Sequence, residues 1–184
     1  APAGPGWTTT QAGLALELAP SSVDRDLVIT CAIRNTSGAA VTLRQQRVAL
    51  TGLDALWPAA QGPIRALKIA YCGANSRSPK SRSHAVTLTG PEVCEGWWVG
   101  AMAPASGGPG IALGALDFRH FATSVTATRE SVTACQHLEG WQLAPGEAVE
   151  LAPLWLGLSD GPPLESLERY ATEVGRRHDV TPPK

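Results

Sequence analysis

Residues 27–34 read "LVITCAIR", with Leu27, Ile29, Cys31 and Ile33 at every second position. Successive side chains of an extended chain point to opposite faces, so this alternation collects four apolar groups on one side, the pattern of a half-buried strand. Residues 35–38, "NTSG", then supply turn formers, and Val41 and Leu43 resume the alternation. Residues 27–50 therefore read as a hairpin or two adjacent strands. Asn35-Thr36-Ser37 also matches a glycosylation sequon, but such matches are frequent by chance and the triplet is read as part of the turn.

Outward from that stretch, strands are expected in "HAVTLTG" (84–90), "EGWWVGAMA" (95–103), "GIALGALDF" (110–118), "TSVTAT" (123–128), "SVTACQHLEGWQL" (131–143) and "EAVELAPLWLGL" (147–158). Between them lie "PASGGPG" and "LAPGEA", Gly/Pro punctuation that reverses a chain. Many short strands without alternating helices argue for an all-β fold, a large antiparallel β-sandwich, and against a parallel α/β sheet. No repeat of solenoid period is present. Residues 75–84, "NSRSPKSRSH", read as a solvated surface loop, because Arg77, Lys80 and Arg82 are too few to make a binding patch.

At 184 residues the chain fits one domain, with or without an appendage, and can bury a core unaided. A net charge of -1 gives no electrostatic footprint for nucleic acid or an anionic membrane surface. There is no run of about 18 apolar residues and no basic-then-apolar leader. The opening "APAGPGW" reads as a trimmed end and leaves the compartment open. Cys31, Cys72, Cys94 and Cys135 are widely spaced with no C-x-x-C, so neither a zinc site nor any other metal or cofactor is expected. Cys31 and Cys135 lie inside alternating runs and read as buried thiols; one or two disulfides are the rival reading.

The chain closes on "GPPLESLERYATEVGRRH" (161–178), where Leu164, Leu167, Tyr170, Ala171 and Val174 recur at helical spacing and form one apolar stripe. Ser159-Asp160-Gly161 offers capping groups and Pro162 and Pro163 suit the first turn. Glu165 and Glu168 sit near the positive end of the dipole, with Arg176, Arg177 and His178 near the negative end. Pro182 biases the residue before it away from helix, so an extended exit is expected after Asp179. By pattern alone, the stripe fits packing on the chain's own sandwich as well as on a neighbour.

From residue 93 onward the order of features resembles the N-terminal domain of the family-36 glycoside hydrolases, the α-galactosidase and raffinose-synthase type. The resemblance rests on "CEGWWVGAM" (94–102), "GIALGALDFRHFATSVTA" (110–127), "LEGWQLAPGEAVELAPLWLGLSDGPPLESLERYA" (138–171) and the "TPP" exit. Residues 1–92 agree only as generic β-structure. The resemblance implies a supersandwich over residues 1–160 and a linker helix over 161–184 that leads into a (β/α)8 barrel. It implies that the barrel of the same polypeptide is a partner, that an α-galactoside binds at the shared cleft, and that Leu164, Leu167, Tyr170 and Val174 are interdomain contacts. The catalytic aspartates of that family belong to barrel strands, so no residue here inherits a catalytic role.

The residues themselves agree. Retaining glycoside hydrolysis needs two carboxyl groups about 5–5.5 Å apart, and Asp117, Glu92 and Glu95 are not paired by anything in the sequence. Ser124, His120, His137, Asp117 and Cys135 could be combined into a nucleophilic site, but no G-x-S-x-G elbow or cysteine-protease signature accompanies them. His120 and His137 read as satisfied strand histidines, and "SGGPG" as a turn rather than a phosphate loop. The chain has six Trp against two Phe and two Tyr, and flat indoles suit sugar rings as well as cores. Trp57, Trp97 and Trp98 are therefore the candidate substrate contacts, with core or interdomain packing as the rival role. Trp97 and Trp98, adjacent on one strand, should point to opposite faces. Three readings follow: a non-catalytic sandwich supporting a glycosidase barrel, a free-standing carbohydrate-binding module, and a small hydrolase. A homo-oligomer is compatible with each.

Overall fold

The computed structural model describes residues 7–57, 62–68 and 84–180. Cys72, residues 75–83 of the polar loop and the exit at 181–183 lie outside the described residues.

Thirteen strands are described: β1 (Trp7–Gln11), β2 (Leu14–Val23), β3 (Asp26–Asn35), β4 (Val41–Thr51), β5 (Ile64–Lys68), β6 (His84–Leu88), β7 (Cys94–Trp97), β8 (Val99–Pro104), β9 (Gly110–Ala115), β10 (Ala122–Ala127), β11 (Ser131–Leu143), β12 (Ala148–Glu150) and β13 (Leu154–Ser159). One 3-10 turn, Leu53–Ala55, and one helix, α1 (Pro163–Arg177), complete them. All strand pairs are antiparallel. A nine-stranded sheet runs β1-β2-β3-β13-β9-β8-β5-β6 with β12 also on β3, and a four-stranded sheet runs β4-β11-β10-β7. The architecture is the expected all-β sandwich with one C-terminal helix.

Three strand expectations need correction. Residues 27–50 are not a hairpin, because β3 and β4 belong to different sheets. Asn35 accounts for the crossing: its buried amide donates to the carbonyls of Ala39 and Leu143 at 2.7 and 3.0 Å and accepts from the Ser37 amide at 2.9 Å, an Asx-type turn that redirects the chain. Residues 95–103 are likewise two strands. Trp98 adopts φ 71°, a left-handed conformation that breaks extension, and passes the chain from β7 in the small sheet to β8 in the large one. Residues 147–158 form β12 and β13, which both pair with β3 and leave Leu151, Ala152 and Pro153 as an interruption between them.

The interior holds two apolar clusters side by side. One gathers Ile64, Leu88, Met102, Ile111, Leu113, Val125, Val132 and Leu154; the other gathers Cys31, Ile33, Leu43, Phe121, Leu138, Leu143 and Leu151. Cys31 and Cys135 are buried free thiols, as read, and burial pushes the Cys31 thiol up to about 11, which keeps it protonated and inert.

A third cluster lies on the outer face of the large sheet, where Val28, Val99, Ala101, Ala112, Leu116 and Trp155 meet Tyr170, Leu167 and Val174 of α1. Complete burial of such side chains is worth about 1.5–3 kcal/mol each. That docking stabilises a 15-residue helix, a length that is marginal in isolation. Of the four residues named as interdomain contacts, Tyr170 is 7% exposed and bonds to Ala115, Leu167 and Val174 are half-buried against the sheet, and Leu164, at 57%, is open to solvent. The capping expectation also changes. Pro162 occupies the cap position without a side-chain hydrogen bond, and Ser159 donates instead to the Gly161 carbonyl at 3.2 Å. At the other end Val180 donates its amide to the Gly175 carbonyl at 2.9 Å, with Asp179 at φ 52°, so the chain turns back on the helix terminus.

A groove on the outer face of the large sheet

The outer face of the large sheet is divided. The helix covers β8, β9 and β13, and beside it the sheet opens into a groove of about 670 Å³. Two features of the chain make that space. Apart from Glu17, the outward residues of β2 and β3 there are small, Ala19, Thr30 and Ala32, so little rises from the floor. The interruption at 151–153 then pulls the chain out of the ladder beside Thr30 and Cys31, with only the Leu151 amide returning to the Cys31 carbonyl at 2.9 Å. Such irregularities often mark the place where a sheet re-aims its side chains.

The groove's polar groups come from register. Thr8 pairs with Glu17, Glu17 with Ala32, and Ala32 with Glu150, so one row crosses four strands with two carboxylates flanking an alanine. The opposite wall is the 116–121 loop, which supplies Asp117, Arg119 and His120. Arg119 forks onto Asp117 at 2.6 and 3.0 Å, and its backbone amide adds a third bond at 2.9 Å. These bonds, led by the guanidinium, hold the Asp117 carboxyl well below the usual carboxylate range. A general acid needs the opposite shift, so Asp117 is a wall-fixing anion rather than a proton donor. From inside the sandwich, Gln136 donates to the Ala152 carbonyl at 2.7 Å and accepts from the Ala152 amide at 3.1 Å. This two-point grip fixes the groove floor from behind.

The sequence-predicted sites fall elsewhere. Trp57 is 6% exposed, lies in the inter-sheet core and donates its indole proton to the Pro109 carbonyl at 2.7 Å. Trp97 and Trp98 do part, because the strand break separates them. Trp97 packs on His137 with ring centroids 5.6 Å apart. Trp98 meets Phe118 edge-on at 4.9 Å, and Phe118 stacks on His178 at the helix end. His178 in turn reaches the Leu116 carbonyl at 2.9 Å, so this aromatic chain ties α1 to the groove's loop.

Of the carboxylates weighed from sequence, Glu92 closes its own 89–92 turn by accepting from Thr89 and Gly90, and Glu95 pairs across to Thr126 on the small sheet. Neither lines the groove. Ser124 and His137 do meet, at 3.0 Å. Ser124 is 4% exposed on an inner strand of the small sheet and His137 is half-buried beside it, so the hydroxyl is satisfied by the ring and largely withdrawn from solvent. Glu17, Glu150, Arg119 and Gln136 were missed, and only strand register, which one sequence does not display, would have aligned them.

No family model matches the sequence, and no curated protein matches it significantly. Solved structures do share its fold. The galactosidase domain of the alpha-galactosidase-sucrose kinase AgaSK superposes over 90% of this chain and 25% of its own, with TM-score 0.63 and 12% identity. The GH36 alpha-galactosidase AgaA from Geobacillus stearothermophilus, in a variant bound to 1-deoxygalactonojirimycin, superposes over 93% and 26%, with TM-score 0.62 and 13% identity. AgaB from the same organism gives 89% and 24%, with TM-score 0.57. The chain thus spans about a quarter of the length of these enzymes and has the fold of that quarter.

Proposed function

We propose that this chain is the non-catalytic N-terminal sandwich of an α-galactosidase-like glycoside hydrolase, that it supports a (β/α)8 barrel in the same polypeptide, and that it helps wall the carbohydrate cleft. The observation that carries the reading is the match of nine-tenths of this chain to one quarter of several α-galactosidases. Residues 1–160 would be the sandwich and 161–184 the connector. Because Leu167, Tyr170 and Val174 pack on the sandwich, the connector would travel with this domain as one rigid piece. Leu164 and Phe118, 57% and 37% exposed, are among the apolar groups left open to a neighbour. The groove, with its hydroxyls and carboxylates, is the surface best supplied to face a hydroxyl-rich ligand. Trp97 and Trp98 would act through packing rather than by stacking on sugar.

The binding-module reading requires two coplanar exposed indoles on one face. Among the described side chains, Trp57 and Trp155 are core residues, Trp97 and Trp98 turn to different partners, and Trp141, 44% exposed, has its edge-on aromatic contact with Phe121 rather than with another indole. Isothermal titration of residues 1–184 with galactose and raffinose, paired with an α-galactoside hydrolysis assay, tests the choice. The supporting role predicts no turnover and no saturable heat from the chain alone. Saturable heat would favour the module, and turnover would overturn both.

A further inference from the structure

One row on the inner face of the small sheet differs from its surroundings. Thr123, Gln136 and Gln46 pair in register across β10, β11 and β4, and all three are buried, at 0%, 0% and 7% exposure. Val125 and Ala134 on one side of the row belong to the first interior cluster. Leu138, Leu43 and Phe121 on the other side belong to the second. The polar row is the seam between two apolar cores.

Gln136 is satisfied through Ala152, but its neighbours are not. Neither Nε2 nor Oε1 of Gln46, nor Oγ1 of Thr123, meets a protein partner. An unmet buried polar group costs about 1–3 kcal/mol, and two such side chains, one on each side of Gln136, would consume much of a domain's net stability of about 5–15 kcal/mol. The same amide chemistry offers a remedy. A glutamine side chain has two N–H donors and two carbonyl lone pairs, so Gln136 keeps one of each after bonding Ala152. Donors and acceptors of both kinds are thus confined in one buried row. A water molecule, which needs two to four polar partners, is the ligand that fits them.

We propose that this row is an internal water-binding site, in which ordered water bridges Gln46 and Thr123 to the remaining capacity of Gln136. The hydrated seam fixes the Gln136 amide, Gln136 fixes the Ala152 backbone, and Ala152 is part of the groove floor. The site is independent of the enzymatic reading, since it rests on the sandwich interior alone.

The test is a high-resolution crystal structure of residues 1–184, together with NMR water contacts on the same chain with its glutamine side-chain amides labelled. The expected result is water within about 3 Å of a Gln46 amide atom and of Thr123 Oγ1. The Gln46 side-chain protons should show water NOE and ROE of opposite sign, marking a held molecule, and Gln46→Met should abolish the electron density at that end of the row. A Gln46 amide bonded directly to protein, or one with neither density nor cross-peak, would overturn the proposal. Should the Met variant fail to fold, the wild-type cross-peaks decide alone.

Discussion

The ring of Tyr170 rests on the bare backbone of Gly114: a β-carbon at Gly114 would lie 2.7 Å from Tyr170 Cε2 and 2.8 Å from Val99 Cβ. The helix sits as close as it does because β9 carries no side chain at that point. Gly114→Ala must therefore lift the helix or displace Val99, at a cost of about 1–3 kcal/mol. Tyr170→Phe keeps the ring and removes only the hydroxyl bonded to the Ala115 carbonyl, for about 1 kcal/mol. Urea denaturation of both variants should rank them in that order. A neutral Gly114→Ala would show that the helix is not seated there.

A second tie joins the helix to the sheet's outer face. Arg169 forks onto Asp26 at 2.9 and 3.0 Å and also donates to the Leu158 carbonyl, with side chains 23% and 7% exposed respectively. Removing one partner strands the other in a poorly hydrated place, so Asp26→Ala should cost about 3 kcal/mol. The double variant Asp26→Ala/Arg169→Leu should recover much of that loss. Additive losses in the double-mutant cycle would mean that the pair is not coupled.

The helix terminus gives a pH prediction. The Arg176 side chain, followed by that of Arg177, lowers the Glu173 carboxyl from its ordinary value. A carboxyl depressed in the folded state contributes stability above its unfolded value of about 4.3, and that contribution is lost as pH falls through the lower folded value. Wild-type protein should therefore exceed Glu173→Gln in stability by a constant margin from pH 6 to 8, with the margin shrinking below about pH 4.5. A margin unchanged at pH 3 would show that Arg176 and Arg177 do not act on this group.

Period-two alternation made β3, β6 and the first half of β11 legible from sequence, because each has one face buried and one face solvated or covered by polar groups. It failed where both faces are covered. β8 and β9 are buried at every position, since the interior lies on one side and the helix or its loop on the other, and their ends could not be read from a continuous apolar run. The break at Trp98 escaped because a left-handed tryptophan carries no local signature, unlike a glycine. The helix was legible in full, yet which surface covers its stripe was not, since amphipathic spacing records that a face is dry and not what dries it. The groove was invisible because it depends on Glu17 and Glu150 flanking Ala32 from strands more than a hundred residues apart in the sequence.

Reading the messenger RNA through the codon for Lys184 tests the domain assignment most directly. The predicted result is an open frame that continues through eight strand-helix repeats and places two carboxylates at strand ends. A stop codon at that point, or a continuation without the strand-helix alternation, would contradict it.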